Sequence, residues 1–391
     1  MTTSVQIGFI PLIDAAALIV AVEKGFTGAE GLDVTLVREV SWSNVRDKLN
    51  IGLFDAAHLL APVPVASSLG LGHIKVPIVV PLNLSLNGNA ITVSPALDAA
   101  IMAELEGDRF DPMATARALS RVVAARRRNG SEPLTFGMTF PFSTHNYQLR
   151  FWMAAGGVDP DEDIRLVVLP PPFMVGSIAS GQIDAFCVGA PWNSIAVDRG
   201  VGRILHFGSD IMLRAAEKVL ATRQQWAEKN PQSLAALVRA LFRAAEFVEA
   251  PPNQNEVARI LARSEYIGVD ADVILRTLQG RLKIAADGTL RESNRYMLLA
   301  REDASMPDPM QAAWLYAQMV RWRQTAISPE ALTLAQSVFR PDLYEAAFGR
   351  DSKRQPEPKA IGAFTGPAFD PNHIDAYFAA FHASQPTREP R

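Results

Sequence analysis

A long-range repeat constrains this chain more than any other feature of its sequence. Gly8-Phe9-Ile10-Pro11 ends an apolar run and leads into a helical pattern at 15–23. The chain then passes Gly25 and Gly31 into a strand-like stretch at 33–37. Farther on, Gly137-Met138-Thr139-Phe140-Pro141 ends a second apolar run and leads into a helical pattern at 147–155. Gly156-Gly157 then opens onto a strand-like stretch at 164–169. The order continues: Asp55-Ala56 is followed by Ala61-Pro62, and Asp184-Ala185 by Ala190-Pro191 at the same spacing. The two aspartates lie 129 positions apart, 184 less 55. Two matched blocks in the same order predict a duplicated α/β lobe, each copy reading strand, Pro-containing loop, helix, glycine stop, strand.

Strands that alternate with helices imply a mostly parallel sheet in each lobe, because parallel strands need crossover helices. Such sheets bind ligands beyond the carboxyl ends of their strands, where loops turn into helices. Both Pro-containing turns occupy that kind of position, so two facing lobes would form a cleft between them. At 391 residues the chain is long enough for both. The expected division is 1–93 for the first part of lobe I and 94–208 for lobe II. Residues 209–330 would return to lobe I and add helices, and 331–391 would form a C-terminal extension. The stretches 76–83 and 90–93 read as strands, the latter crossing into the second lobe. Residues 203–207 close the second repeat, and a return strand begins at Lys218. From Pro231 the pattern turns helical, with Leu234, Leu237, Val238, Leu241, Phe242 and Ala245 at i, i+3, i+4 spacing. The last stretch, 351–391, is rich in proline and charge and reads as loop-like.

A net charge of −3 and a pI of about 6.1, with no basic stripe interleaved with aromatics, exclude a direct nucleic-acid footprint. Arg126-Arg127-Arg128 reads as the solvated end of a helix. The single cysteine, Cys187, excludes an internal disulfide and lies in an apolar run, where a buried inert thiol is expected. No apolar run approaches the length that spans a bilayer, so no membrane contact is expected. The first residues carry neither a basic region nor a long apolar core of a secretion signal, which makes the cytoplasm the expected location.

Searches for catalytic motifs find no Gly-x-Ser-x-Gly, no phosphate-cradling glycine loop and no dinucleotide fingerprint. No histidine pair has a metal-ligand spacing, and neither a metal nor a cofactor is expected. What remains is a set of polar residues at strand-to-helix turns. Trp42 follows a strand, and Asn87-Gly88-Asn89 precedes the crossing strand. Ser143, Thr144 and His145 begin a helix, with either hydroxyl suited to capping it. Gly189 precedes Ala190-Pro191-Trp192-Asn193, and Lys218 opens the return strand. Taken singly, each has an ordinary reading as packing, turn, cap or surface residue. Together they describe a two-lobed binder of a small ligand, with helix starts and one cation suited to an anion.

The chain resembles the nitrate-binding proteins of the bacterial nitrate/bicarbonate transporter class, and within it the cytoplasmic nitrate/nitrite sensors of the NasS type. The resemblance rests on the ordered blocks "IGFIPLIDAAALIVAVEKGF", "SWSNVRDKL", "DAAHLLAPVP", "NLSLNGNAITV", "TFPFSTHNYQLRFWMAAGGVDPDEDI", "VVLPPPFMV", "IDAFCVGAPWN" and "AEKVLATRQQWAEKNP". It implies a two-lobed periplasmic-binding-protein-like (type II) fold with the ligand cleft between the lobes, and no enzyme activity. It also implies that Trp42, Asn89, His145, Gly189 and Lys218 hold nitrate or nitrite without a metal, since bicarbonate-binding relatives place an acid where Lys218 stands and use calcium. Two departures stand out: Asn89 replaces the usual Gln, one methylene longer, and Ala190 replaces a frequent Glu. For the sensor branch, the resemblance implies an RNA-binding antiterminator partner of the NasT type, held by the ligand-free protein and released by the anion. The same resemblance admits a second reading, the substrate-binding component of a nitrate ABC transporter.

Overall fold

The structure is a computed structural model that describes residues 2–72, 74–350 and 359–383. Its strands are β1 (Thr3–Phe9), β2 (Leu32–Arg38), β3 (Ala56–Leu60), β4 (Ile78–Asn87), β5 (Asn89–Val93), β6 (Leu134–Met138), β7 (Ile164–Val168), β8 (Ala185–Gly189), β9 (Arg203–Phe207), β10 (Ala216–Arg223), β11 (Arg281–Lys283), β12 (Leu290–Glu292) and β13 (Met297–Leu298). They form one sheet in the order β13-β4-β10-β3-β1-β2, a second in the order β7-β6-β8-β5-β9, and the hairpin β11-β12.

The repeat is visible residue by residue. In the first sheet β1 runs parallel to β2 and β3, with Gly8 opposite Ala57; in the second β6 runs parallel to β7 and β8, with Gly137 opposite Phe186. Asp55 accepts a hydrogen bond from Gln6 N at 2.9 Å, and Asp184 accepts one from Thr135 N at 2.8 Å, so each repeated aspartate ties the start of its strand to the central one. The repeated glycines leave room for a neighbour. A Cβ on Gly8 would lie 2.2 Å from the Phe54 ring, and one on Gly137 would lie 2.9 Å from Met174 Sδ.

Neither sheet is mostly parallel, contrary to the expectation from alternation alone. β10 enters the first sheet antiparallel to β3 and β4, and β5 enters the second antiparallel to β8 and β9. These are the strands that arrive from the opposite lobe, so they run against their hosts. The crossing itself occurs at Gly88 rather than after residue 93, because β5 already belongs to the second sheet. Gly88 has φ 96° and Asn87 φ 58°, left-handed backbone that a glycine and an asparagine tolerate. The Asn87 amide bridges the outgoing and returning chains: its Nδ2 donates to Leu213 O at 2.9 Å and its Oδ1 accepts from Ala215 N at 3.1 Å.

Helices cover the sheets. The Ala16–Glu23 helix is buried over Ala16–Ala21 and packs beside the Pro231–Glu249 helix, which turns Leu234, Leu237, Val238, Leu241, Ala245 and Val248 inward at the expected spacing. Arg126, Arg127 and Arg128 do end a helix, Pro112–Arg128, and Cys187 is buried within β8. The C-terminal stretch departs from its loop-like reading. Leu213 N donates to Gly362 O at 2.9 Å, and residues Ile374–Ala383 form a helix whose Phe381 meets the Phe151 ring edge-on at 5.5 Å. Aromatic residues at helical spacing outweigh the local proline and charge. Residues 351–358 and 384–391 lie outside the described part. Among the described residues no helix is long and apolar enough to cross a membrane.

Candidate functional site

The loop after β1 carries Asp14 into the space between the sheets on a single turn of 3-10 helix, Ile13–Ala15. Trp42 is the first residue of the Trp42–Asn50 helix, whose start is capped by Ser41 Oγ accepting from Asn44 N at 3.3 Å. His145 occupies the second position of the Thr144–Ala155 helix. There Ser143 is the cap, accepting from Asn146 N at 3.1 Å, while Thr144 Oγ1 donates to Ala216 O of the opposite lobe at 2.7 Å. Asn89 and Gly189 face each other across β5 and β8.

Lys218 is reached through an irregularity in β10. Adjacent strand residues point to opposite faces, yet Glu217 and Lys218 both aim into the interlobe space. The pairing of β10 with β4 shifts on either side of Lys218, and that bulge turns the two side chains the same way.

All five residues singled out from the sequence converge here, from both lobes. Lys218 Nζ lies 5.3 Å from the centre of the Trp42 ring, 3.0 Å from Asp14 Oδ2 and 2.6 Å from Glu217 Oε1. His145 Nε2 is 3.0 Å from the same Glu217 oxygen, and Asn89 Nδ2 donates to Glu217 Oε2 at 3.1 Å. A Cβ on Gly189 would lie 3.2 Å from Asp14 Oδ2, so glycine lets the Asp14 carboxylate approach the second lobe. Asn89, despite its shorter side chain, thus reaches the group that also contacts the lysine and the histidine. Each of these polar side chains is fully buried or within 1% of it.

Three members of the cluster escaped the reading of the sequence: Asp14, His58 and Glu217. For Asp14 and His58 the signal was present, since each is an ionisable residue inside an otherwise apolar stretch, where it has to find a partner once buried; Glu217 stands directly beside Lys218 and has no such signal. His58 accepts from Ile10 N at its Nδ1 (3.4 Å), which leaves the proton on Nε2, 2.9 Å from Asp14 Oδ1.

The charges sort themselves by burial and proximity. Burial would raise the Asp14 carboxyl, but Lys218 and His58 outweigh it and hold it down at about 2, so Asp14 is the standing counterion. Burial likewise opposes the Lys218 ammonium, yet Asp14 and Glu217 keep it above its ordinary value. Glu217 shares the same cation less favourably, and burial pushes it up to about 7 despite Lys218. Burial and the neighbouring lysine hold His145 well below its ordinary value, so it is a neutral imidazole at the positive end of a helix. Burial also keeps His58 below its usual range and drives the Cys187 thiol well above its own.

Two ring nitrogens beside the Lys218 ammonium, Trp42 Nε1 and His145 Nε2, have no hydrogen-bond partner among the described residues, the latter being close to Glu217 but not aligned with it; His58 Nε2 is likewise unaligned with the Asp14 carboxylate beside it. With His145 Nδ1 accepting from Thr139 Oγ1 at 3.2 Å, its Nε2 carries the proton. Buried donors in folded proteins are nearly always satisfied, so two orphans beside one ammonium describe a place where a ligand with several acceptor atoms could sit.

The model of the NMT1-like family matches residues 1–262. The nitrate/nitrite binding protein NrtA of Synechococcus elongatus is 32% identical over 386 residues, covering 95% of this chain and 85% of its own. The nitrate import ATP-binding protein NrtC of Synechocystis sp. is 34% identical over 389 residues, 97% of this chain, which spans about half (55%) of that relative. The crystal structure of the periplasmic nitrate-binding protein NrtA from Synechocystis PCC 6803 superposes with a TM-score of 0.88 at 27% identity, covering 97% of this chain and 98% of that one. The architecture is therefore the two-lobed, periplasmic-binding-protein-like α/β fold.

Proposed function

From the premise that this chain belongs to the NMT1-like family and shares the fold of NrtA, we propose that it binds nitrate or nitrite between its two lobes. The observation that carries this reading is the buried Lys218 ammonium with two unpartnered N–H donors beside it. A small planar anion with three oxygens can take the lysine charge, the indole N–H of Trp42 and the ring N–H of His145 at once, with Asn89 and the Gly189 region completing the surround. Several modest hydrogen bonds added to one desolvated charge contact fit a micromolar affinity, about −8 kcal/mol. Full burial means that the lobes have to part to admit the anion and close over it, so closure is the step that a partner could read.

The finer reading is a cytoplasmic nitrate/nitrite sensor that holds a NasT-type antiterminator when ligand-free and releases it when the anion closes the lobes. Its support is the likeness of the motif blocks to the NasS-type branch. An import role, as a substrate-binding component, is supported by the likeness to a nitrate import ATP-binding protein and a periplasmic nitrate-binding protein. Either way the chain is read as a binder, like the nitrate-binding proteins it resembles.

Calorimetry with nitrate, nitrite, bicarbonate and an alkanesulfonate tests the binding reading directly. Nitrate or nitrite should bind near micromolar, and absence of binding by both at millimolar concentration would sink it. Lys218→Glu, which exchanges the cation for a third carboxylate, should abolish binding. Co-purification with a NasT-type antiterminator, abolished by added nitrate, would establish the sensor role; a complex with a membrane permease instead would establish import.

A further inference from the structure

Glu217 sits where the proposed ligand should be. Its Oε1 takes Lys218 Nζ at 2.6 Å and lies 3.0 Å from His145 Nε2, and its Oε2 takes Asn89 Nδ2 at 3.1 Å. A carboxylate is planar and spreads its negative charge over two oxygens, as nitrate does over three. The bulge in β10 is what swings this side chain into the seat; regular strand geometry would turn it away from Lys218.

We propose that Glu217 couples anion binding to protonation: it is a tethered carboxylate that engages Lys218 and Asn89, and a nitrate-type anion is accommodated as Glu217 takes up one proton. The inference rests on the anion-binding reading above. With Asp14 and Glu217 both ionised against the single cation Lys218, a further anion would leave three negative charges and one positive charge in a fully buried space, which is strongly disfavoured. A compensating proton has few places to go. His145 is held neutral by burial and the adjacent lysine, and His58 by burial. Asp14 is pinned as a carboxylate by Lys218 and His58. Cys187 and Tyr296, the other titratable groups near the cluster, are buried and already protonated. Glu217 remains, with a pKa that burial has moved up to about 7.

The balance is simple: Glu217 carboxylate, one proton and the anion become Glu217 carboxylic acid and bound anion. Protonation frees Lys218 and Asn89 from a full negative charge and converts Glu217 from an acceptor into an O–H donor to the ligand. The device also discriminates between classes of anion. Nitrate carries no proton and depends on the acid form of Glu217. Bicarbonate carries its own O–H, which can be donated to the ionised form without any uptake.

The test is titration calorimetry of the full chain with sodium nitrate from pH 6 to 9, in buffer pairs of low and high ionisation enthalpy. Above pH 7 the affinity should fall roughly tenfold per pH unit, with one proton taken up per nitrate at pH 8.5 and much less at pH 6. Glu217→Gln, which keeps the shape and cannot ionise, should bind nitrate with a flat pH profile and no proton uptake. Constant wild-type affinity from pH 6 to 9 without proton uptake would overturn the inference while leaving nitrate binding intact. A Glu217→Gln protein that keeps the tenfold loss would overturn it as well. Should that variant fold poorly, the wild-type proton count alone decides. No nitrate heat at any pH, in wild type or variant, would remove the binding reading and this inference with it.

Discussion

Trp42→Phe separates the donor of Trp42 from its bulk. In the wild type the indole N–H is buried without a partner among the described residues, 5.3 Å of ring-to-ammonium distance from Lys218 and with the ring edge-on to His58 at 5.4 Å. An unsatisfied buried donor costs about 1–3 kcal/mol. Phenylalanine removes that cost and gives up part of the buried ring, a loss of similar size and opposite sign. The stability of the ligand-free protein should therefore change by no more than about 1 kcal/mol. Binding is a different matter. A hydrogen bond to a charged acceptor contributes about 1.5–3 kcal/mol, so the variant should bind nitrate roughly 10- to 150-fold more weakly. Calorimetry gives the affinity and thermal unfolding without nitrate gives the stability. Affinity within twofold of wild type would show that the indole N–H does not reach the ligand. A loss of affinity matched by an equal loss of stability would show that Trp42 acts by packing alone.

Two further outcomes concern the scaffold. A Cβ on Gly156 would lie 2.1 Å from the carbonyl oxygen of Ala116, backbone that cannot swing away, so Gly156→Ala should destabilise by about 3 kcal/mol or more in urea unfolding. His206 is buried against Thr115 Oγ1 at 2.6 Å, and burial followed by Arg291 and Arg109 brings it down to about 3. Its folded-state value lies below its unfolded one, so its neutral form is favoured on folding, and that contribution is lost as pH falls from about 6.5 towards 3. The unfolding free energy of wild type relative to His206→Gln should therefore drop by about 1.4 kcal/mol per pH unit over that window. Taking the difference between the two proteins cancels the opposite slope from Glu217, whose raised value favours the folded state at lower pH. A difference that stays constant between pH 6 and 4 would contradict the assignment.

The duplication could be read from the sequence because backbone geometry imposes it twice. Gly8 and Gly137 both leave room for the residue that precedes a repeated aspartate, and Asp55 and Asp184 both tie down a parallel neighbour, so residue type and spacing had to recur. Lys218, His145, Trp42, Asn89 and Gly189 could be picked out as polar or small residues at strand ends, and the structure gathers them into one cluster. Their carboxylate neighbours were harder to see. Asp14 hides in the apolar stretch 10–22 as a single acid whose partners lie far along the chain. Glu217 could not be placed beside Lys218 from pattern alone, because period-two alternation assigns neighbours to opposite faces, and a bulge depends on the register with another strand. The strands β5 and β10 were legible but their antiparallel direction was not: it is set by which lobe they come from, which local periodicity does not encode.

The placement of those two strands has a consequence for the history of the chain. β10 lies between β3 and β4, and β5 lies between β8 and β9. Each copy of the duplicated unit therefore contains a sheet divided by a slot, filled by a strand on loan from its twin. A gene severed between β5 and β6 would encode two pieces with complementary slots, neither able to close its own hydrogen-bond ladder, but each holding the missing rung of the other. What began as repetition has become mutual dependence: the lobes can swing, yet neither can leave.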